Sequence, residues 1–305
     1  MNAPKESGRP KDSIRILLSE IIDYAGLFPP SQIAMPQAVQ NYETYRNSNY
    51  AWMLGRFITP VSRLDEFFEA AEDSINREGE KPWRVSVLAG EDIYDTIKRI
   101  NYFNSQNAPS VVCDMLEVKA NTVSKIENTV KSLPENLTTY FEVSTGDNFS
   151  DLISTLALLG QRAKIRTGGT VREDFPSSAN IIRFVRTCMS ANVPFKATAG
   201  LHHPLRCFRP LTYSADAPQG TMHGFLNVLT MTGFARENFR PTLLEQIMEE
   251  EFDEVFTFRE NGIAWRNDHF LINGHIERLR SLGLNSFGSC SFEEPIADLQ
   301  SMGLL

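Results

Sequence analysis

Two lysines stand near the ends of short apolar segments that the sequence predicts to be strands. Lys164 lies in the run AKIRTGG and Lys196 in the run FKATAG. Because side chains alternate along a strand, Lys164 shares a face with Arg166, and Lys196 shares a face with Thr198. A lysine that points into an interior is costly unless a carboxylate pairs with it or it loses its proton. A neutral amine is a nucleophile, so both lysines are candidates for attack on a carbonyl carbon.

Acidic side chains on two predicted strands are candidates for exchanging protons with these amines. In TTYFEVSTG, Glu142 points inward if its apolar neighbours pack on helices, and it then becomes a partner for Lys164 on the next strand. A purely structural ion pair is the equal alternative. The strand VVCDMLEV offers Asp114 on one face and Cys113 and Glu117 on the other, and strict alternation allows one of these faces to point inward.

Residues that can hold an anionic group surround the same strand ends. His202 and His203 follow the strand of Lys196 directly, and since adjacent side chains on an extended chain point apart, we expect one of them to face the site. The loop 201–220 has a length typical of lids, with a surface or subunit contact as the equal alternative. The candidates for contacting the anionic group are Arg56, Arg166, Gly168, Gly169, His202, His203 and Arg206.

Two alternatives apply to these polar residues. Arg56 is equally consistent with a salt bridge inside the protein. A metal site would need one of the paired histidines together with His223, Glu142 or Asp114. The sequence contains neither HxH nor HExxH, so we predict no metal and no other cofactor.

The segments around these residues alternate between strand and helix patterns. This alternation predicts parallel strands joined by right-handed crossovers, and about eight repeats favour a closed (β/α)8 barrel of the α/β class, a TIM barrel. We predict residues 1–50 as a tail and helical extension and residues 51–305 as one barrel domain. The predicted strands are Met53–Ile58, Arg84–Ala89, Val111–Leu116, Thr138–Ser144, Ala163–Thr167, Phe195–Ala199, Val255–Phe258 and Ser286–Ser291.

Two segments are ambiguous in this reading. For the seventh strand, Gly262–Trp265 competes with Val255–Phe258. In the extension, the apolar side chains of the run DYAGLFPP are expected to plug the barrel floor or contact another subunit rather than touch a substrate.

The composition limits the class of partner. The net charge of -8 and the pI near 5.3 argue against nucleic acid or an anionic membrane as the general partner. The four cysteines show no CxxC spacing, and the N-terminus is polar with no apolar core of a signal peptide, so we expect a cytoplasmic protein with reduced thiols. A local cluster of Lys and Arg still permits a small anionic metabolite, and homo-oligomer assembly stays open.

The strand-end motifs, in their order along the chain, resemble those of class I aldolases, especially deoxyribose-phosphate aldolase. AKIRTGG is similar to the K-x-S-T-G end that carries the Schiff-base lysine, and FKATAG to the later K-A-S-G-G end. FEVSTG looks like that family's E-T-G strand, VVCDMLEV like its proton-relay strand, and FGSCS like its last phosphate-binding turn. The resemblance covers residues 108–203 and the last strand. It implies Lys164 as the Schiff-base lysine, Lys196 as a proton-relaying lysine, Asp114 as the relay carboxylate and Ser289 as a phosphate contact.

Three departures separate this sequence from the family pattern. Arg166 replaces a small residue beside Lys164, the His202-His203 loop has no counterpart, and a long segment lies between Lys196 and the last strand. We therefore expect Lys196, which faces small residues, to line the site more surely than Lys164.

The residues and the resemblance together predict an aldolase-like lyase or isomerase that acts on a small oxo compound bearing a phosphate or carboxylate, through a lysine imine. One alternative is a barrel enzyme that transfers protons with Lys, Glu and His, with or without a metal. The other is a barrel that binds a metabolite without catalysis.

Overall fold

In the computed structural model, which describes residues 9–75 and 81–305, the chain forms a closed barrel of parallel strands. The strands are β1 (Ile22–Tyr24), β2 (Leu54–Pro60), β3 (Trp83–Leu88), β4 (Val111–Lys119), β5 (Thr138–Glu142), β6 (Arg162–Arg166), β7 (Phe195–Thr198), β8 (Cys207–Pro210), β9 (Gln219–Met222), β10 (Phe256–Arg259), β11 (Gly262–Trp265), β12 (His269–Ile272) and β13 (Leu284–Ser289). The barrel order is β1-β13-β7-β6-β5-β4-β3-β2, and each pair of neighbours, including β1 with β2, is parallel. The predicted (β/α)8 barrel is confirmed.

Helices alternate with the strands and cover the barrel. They are α1 (Asp12–Leu18), α2 (Met35–Arg46), α3 (Leu64–Ile75), α4 (Ile93–Asn107), α5 (Val123–Val130), α6 (Phe149–Leu158), α7 (Ser178–Ser190), α8 (Phe225–Arg236), α9 (Pro241–Met248), α10 (Asn273–Leu282) and α11 (Glu293–Ser301). Short 3-10 turns occupy Ala51–Met53, Val61–Arg63, Arg172–Asp174 and Asp253–Val255.

The sequence explains where several helices begin and which face they bury. The side chains of Asp92, Thr122 and Ser177 accept hydrogen bonds from backbone N–H groups in the first turns of α4, α5 and α7. The apolar residues of α3 recur at helical spacing and are buried against the sheet. Helix α8 is buried on all sides along Phe225–Phe234, since α7, α9 and α10 all pack against it.

The first barrel strand lies inside the segment that the sequence predicts as a helical extension. β1 pairs with β13 on one side and β2 on the other, so it closes the barrel. All three of its residues are buried. A strand this short, buried on both faces, shows no alternation in the sequence, which is why the extension is wrongly drawn to include it.

The prediction of a barrel strand at Val255–Phe258 is wrong. β10, β11 and β12 form a separate antiparallel sheet, so both competing segments belong to one insertion between α9 and α10. A second insertion is the antiparallel hairpin of β8 and β9 within the loop after β7.

Candidate active site

Charged side chains from five barrel strands meet in the interior. Glu142, Lys164 and Lys196 are lateral neighbours on β5, β6 and β7, so their side chains form a row around the barrel wall. Asp23 from β1 and Glu117 from β4 complete the contacts of this row, and Arg166 contacts it from the end of β6. We call these six residues the lysine–carboxylate cluster.

Lys196 is fully buried between two carboxylates. Its Nζ lies 2.6 Å from Asp23 Oδ2 and 2.7 Å from Glu117 Oε1, and 5.6 Å from the centre of the Tyr140 ring. Burial alone would lower the pKa of this amine, but Asp23 and Glu117 raise the pKa above its usual value. Lys196 therefore stays charged and is not a nucleophile in this arrangement.

Lys164 lies in the same cluster but reaches the surface of a cavity. Its Nζ lies 2.6 Å from Glu117 Oε2 and 2.8 Å from Glu142 Oε2. The side chain is 5% exposed, and it forms part of the wall of the cavity at the carboxyl ends of the strands. The expectation that Lys196 lines the site more surely than Lys164 is thus wrong, because carboxylates from β1 and β4 fill the space in front of Lys196.

Two carboxylates of the cluster, Glu117 and Glu142, are held in the charged form. Burial would raise the pKa of Glu117, but Lys164 and Lys196 outweigh it and lower the pKa well below its usual range. Glu142 follows the same pattern: burial raises its pKa, and the Lys164 ammonium lowers it more, with help from Arg166. The cluster holds three carboxylates and three cations, so its formal charge is zero.

Hydroxyl groups fix the orientation of the two most buried carboxylates. Ser86 Oγ donates to Glu117 Oε1 at 2.7 Å, and Ser286 Oγ donates to Asp23 Oδ2 at 2.7 Å. The backbone N–H of Arg56 donates to Asp23 Oδ1 at 2.8 Å. These neutral donors satisfy lone pairs that the lysines do not reach, which reduces the cost of burying the charges.

The carboxyl-end cavity has a volume of about 310 Å³ and combines an apolar wall with polar groups. Four predicted site residues line it: Lys164, Arg166, Gly169 and His202. The other lining residues are Ala25, Phe28, Pro29, Ile58, Leu88, Glu117, Thr170, Asp174, Thr198, Ala199, Gly288 and Cys290. The loop after β1 thus lines the candidate site, contrary to the expectation that it plugs the barrel floor or contacts another subunit.

The structure places Asp114 and Arg56 away from this cavity. Arg56 Nε donates to Asp114 Oδ1 at 2.6 Å, and Arg84 Nε donates to Asp114 Oδ2 at 2.9 Å. Arg84 also pairs with Glu20, which precedes β1, so this network lies toward the amino ends of the strands. The relay role that the resemblance assigns to Asp114 has no geometric support, and Arg56 follows its salt-bridge alternative.

Other predicted anion contacts are engaged elsewhere among the described residues. His203 Nδ1 lies 2.7 Å from Asp298 Oδ2, and Arg206 pairs with Glu251. The Ser289 hydroxyl is buried and lies 3.4 Å from the backbone N–H of Ser291. None of His203, Arg206 and Ser289 belongs to the described lining of the cavity.

The glycine pair after β6 packs closely against neighbouring residues. A Cβ added to Gly168 would lie 2.8 Å from the Gly200 Cα and 2.5 Å from the Phe175 ring. A Cβ on Gly169 would overlap the Asp174 carboxylate, which accepts a hydrogen bond from Thr170 N–H at 3.1 Å. The Asp174 carboxylate therefore packs against Gly169 and binds the Thr170 N–H, while the contact of Gly168 and Gly169 with an anion stays a prediction.

Glu117 enters the site because β4 contains a bulge. The register with β3 pairs Val85 with Cys113 and Ser86 with Met115, which leaves Asp114 as an extra residue. Both Asp114 and Glu117 then point into the barrel, so the prediction that only one face of β4 points inward is wrong. No local signal in the sequence announces this bulge, since neither glycine nor proline lies near it.

Asp23 and Cys290 were not selected from the sequence. Asp23 lies in β1, the barrel strand that the alternation of strand and helix patterns does not reveal. An acidic residue directly before Tyr24 in an apolar run is nevertheless a signal that its carboxylate pairs with a cation. Cys290 ends the FGSC run, and its Sγ lies 3.9 Å from His202 Nδ1.

Within residues 9–75 and 81–305, no group of three or more His, Cys, Asp or Glu residues is arranged to hold a metal ion. Over the same ranges, the helices are too short or too polar to cross a bilayer. Comparison with known proteins gives no match to a protein-family model, to a curated protein or to a solved structure.

Proposed function

We propose that this protein is an aldolase-like lyase or isomerase that acts on a small oxo compound bearing a carboxylate or phosphate, through an imine on Lys164. The observation that carries the proposal is the position of the Lys164 amine at the wall of the carboxyl-end cavity, between two carboxylates. In (β/α)8 barrels the catalytic groups lie at this end. The local resemblance to class I aldolases supports the same lysine.

Proton transfer within the cluster makes the amine reactive. Lys164 passes one proton to Glu142, 2.8 Å away, and its lone pair then attacks the carbonyl carbon of the substrate. The C=O π pair moves to oxygen, which takes up a proton from the attacking nitrogen, and the proton held by Glu142 then releases this oxygen as water. The product is an iminium cation on Lys164.

The carboxylates of Glu117 and Glu142 favour the cationic iminium over the neutral carbinolamine that precedes it. The iminium carries the same positive charge as the ammonium that it replaces, so Glu117 and Glu142 stabilise it electrostatically, and its one N–H can donate to either carboxylate. An electron pair from an adjacent C–H or C–C bond can then move toward the iminium nitrogen. Lys196, fixed between Asp23 and Glu117, holds Glu117 ionised and in position.

Two further features of the cavity suit such a substrate. Arg166 is half-exposed at the cavity wall, with a planar guanidinium that can bind a carboxylate or phosphate by two hydrogen bonds. Phe28, Ile58 and Leu88 form an apolar wall that limits the access of water to the intermediate.

Borohydride trapping tests the proposal directly. The protein is incubated with pyruvate, acetaldehyde or dihydroxyacetone phosphate, reduced with sodium borohydride and analysed by intact mass and peptide mapping. We expect one adduct on Lys164 with at least one carbonyl compound, lost in Lys164→Arg and retained in Lys98→Arg, a control on the exposed face of α4. Equal labelling of wild type and Lys164→Arg would refute the imine. Substantial turnover by Lys164→Arg would instead support proton-transfer chemistry without an imine.

A further inference from the structure

A second reactive pair lines the carboxyl-end cavity and has no role in the imine mechanism. Cys290 follows β13, and His202 lies in the loop after β7, so adjacent barrel strands bring them together. Cys290 Sγ is 3.9 Å from His202 Nδ1, which is also 3.3 Å from Glu294 Oε2. Tyr213, from the hairpin of β8 and β9, places its hydroxyl 3.8 Å from the same sulfur.

These contacts favour charge separation between the thiol and the imidazole. Burial alone raises the pKa of Cys290, but His202 lowers the pKa below its ordinary value. Burial likewise lowers the pKa of His202, whereas Cys290 and Glu294 raise it to about 9. The nearby phenols of Tyr24 and Tyr213 have raised pKa values, mainly through burial, so they stay neutral beside the sulfur.

The remaining cysteines have no such partner among the described residues and provide an internal comparison. Cys113 and Cys188 are buried, and burial raises the pKa of both thiols. Cys207 is more exposed than Cys290, yet burial raises its pKa to about 11. Cys207 is thus the more exposed of the two thiols, whereas Cys290 is the one whose pKa is lowered and which forms a thiolate more readily.

We propose that Cys290 is a covalent modification site, at which the thiolate activated by His202 adds to small α,β-unsaturated carbonyl compounds that enter the cavity. The sulfur forms a bond to the β-carbon while the C=C π pair moves toward the α-carbon. That carbon takes its proton from the His202 imidazolium, so the reaction needs no further reagent. Since Cys290 and Lys164 line the same 310 Å³ cavity, the adduct occupies space that a ligand of Lys164 would use.

N-ethylmaleimide, an α,β-unsaturated imide, is the probe for this proposal. The native protein is labelled under limiting reagent at pH 6, 7 and 8, and the modified cysteines are quantified by peptide mapping. We expect Cys290 to be labelled before Cys207 at pH 6, with a rate that rises less steeply between pH 6 and pH 8 than the Cys207 rate does. The Cys207 rate should rise about tenfold for each pH unit, because its thiolate fraction does. Faster labelling of Cys207 than of Cys290 at pH 6, or a rise with pH at Cys290 as steep as that at Cys207, would overturn the proposal.

Two variants separate the role of the imidazole from that of exposure. His202→Asn should slow the labelling of Cys290 at pH 6 by at least about tenfold and leave the Cys207 rate unchanged, since one pKa unit changes the thiolate fraction tenfold. Cys290→Ser should remove one adduct and keep the Cys207 adduct. An unchanged Cys290 rate in His202→Asn contradicts the activation by histidine. The wild-type pH profile needs no variant, so it decides the proposal even if His202→Asn does not fold.

Discussion

Replacing Lys196 with methionine should strongly destabilise the protein, because it removes a cation shared by two buried carboxylates. In the variant, Glu117 keeps Lys164 as a partner, whereas Asp23 keeps only a serine hydroxyl and a backbone N–H among the described residues. Methionine has a similar length and flexibility, and the Lys196 amine already contacts Met115 Sδ at 3.6 Å, so little cavity cost is added. Removing one partner of a buried ion pair costs about 3–5 kcal/mol, and we expect a loss of that size at pH 7.

The loss should shrink in acid. The folded-state pKa of Glu117 is lowered by Lys164 and Lys196, so the stability that this carboxylate contributes is fully present above its unfolded pKa of about 4.3 and is lost as the pH falls below it. The variant lacks one of the two cations and has less of this stability to lose. The difference between the wild type and Lys196→Met should therefore be smaller at pH 3.5 than at pH 7.

Urea unfolding followed by circular dichroism gives the free energies. Lys98→Met, on an exposed face of α4, is the matched control and should change the free energy of unfolding by less than about 0.5 kcal/mol. In the background of Asp23→Asn, the cost of Lys196→Met should fall by at least about 1 kcal/mol, since the two residues are in direct contact. A loss below 1 kcal/mol for Lys196→Met at pH 7, or the same loss in both backgrounds, would refute the reasoning.

Three further substitutions test other parts of the structure. Gly168→Ala should cost about 1–3 kcal/mol by thermal or urea unfolding because its Cβ meets the backbone of Gly200, whereas at Gly146 the nearest atom would be 3.9 Å away and alanine should cost less. Asp114→Asn should lower stability through its two arginine contacts but leave borohydride labelling of Lys164 intact; a loss of labelling in a folded variant would return Asp114 to the site. His202 has a pKa raised to about 9, so its contribution to stability is present below its unfolded pKa of about 6.5 and is lost as the pH rises through 9. The stability difference between wild type and His202→Asn should shrink over that range, and a difference that grows would contradict this assignment.

The barrel could be predicted from the sequence because seven of its strands lie in a sustained alternation with amphipathic helices. The eighth could not, since Ile22–Tyr24 is too short to show a period and is followed by an apolar loop. The insertion at Phe256–Arg259 took its place because a partly buried antiparallel strand has the same β-branched and aromatic residues as a barrel strand. Chain order alone does not distinguish the two.

The site was predicted in part, and its errors have a common physical origin. Lys164, Glu142 and Arg166 were placed together correctly because they stand on neighbouring strands in sequence order. The contacts of Asp23 and Glu117 with Lys196 were not predicted because they span 173 and 79 residues and depend on barrel closure and on a bulge. Packing partners at such separations leave no local pattern.

The zero net charge of the cluster sets a condition on the proposed chemistry. If Lys164 lost its proton to solvent, the cluster would carry an uncompensated negative charge around a buried Glu117, and an anionic substrate would be repelled. If the proton moves to Glu142, the charge stays balanced, and Arg166 is released from that carboxylate to bind the substrate's anionic group. Substrate binding and activation of the amine are then coupled. When Arg166 turns from Glu142 to the substrate, Glu142 accepts the Lys164 proton more readily, and when Glu142 is protonated, Arg166 is free to bind the substrate. In the proposed chemistry, Arg166, which departs from the aldolase pattern, would therefore assist the activation of Lys164.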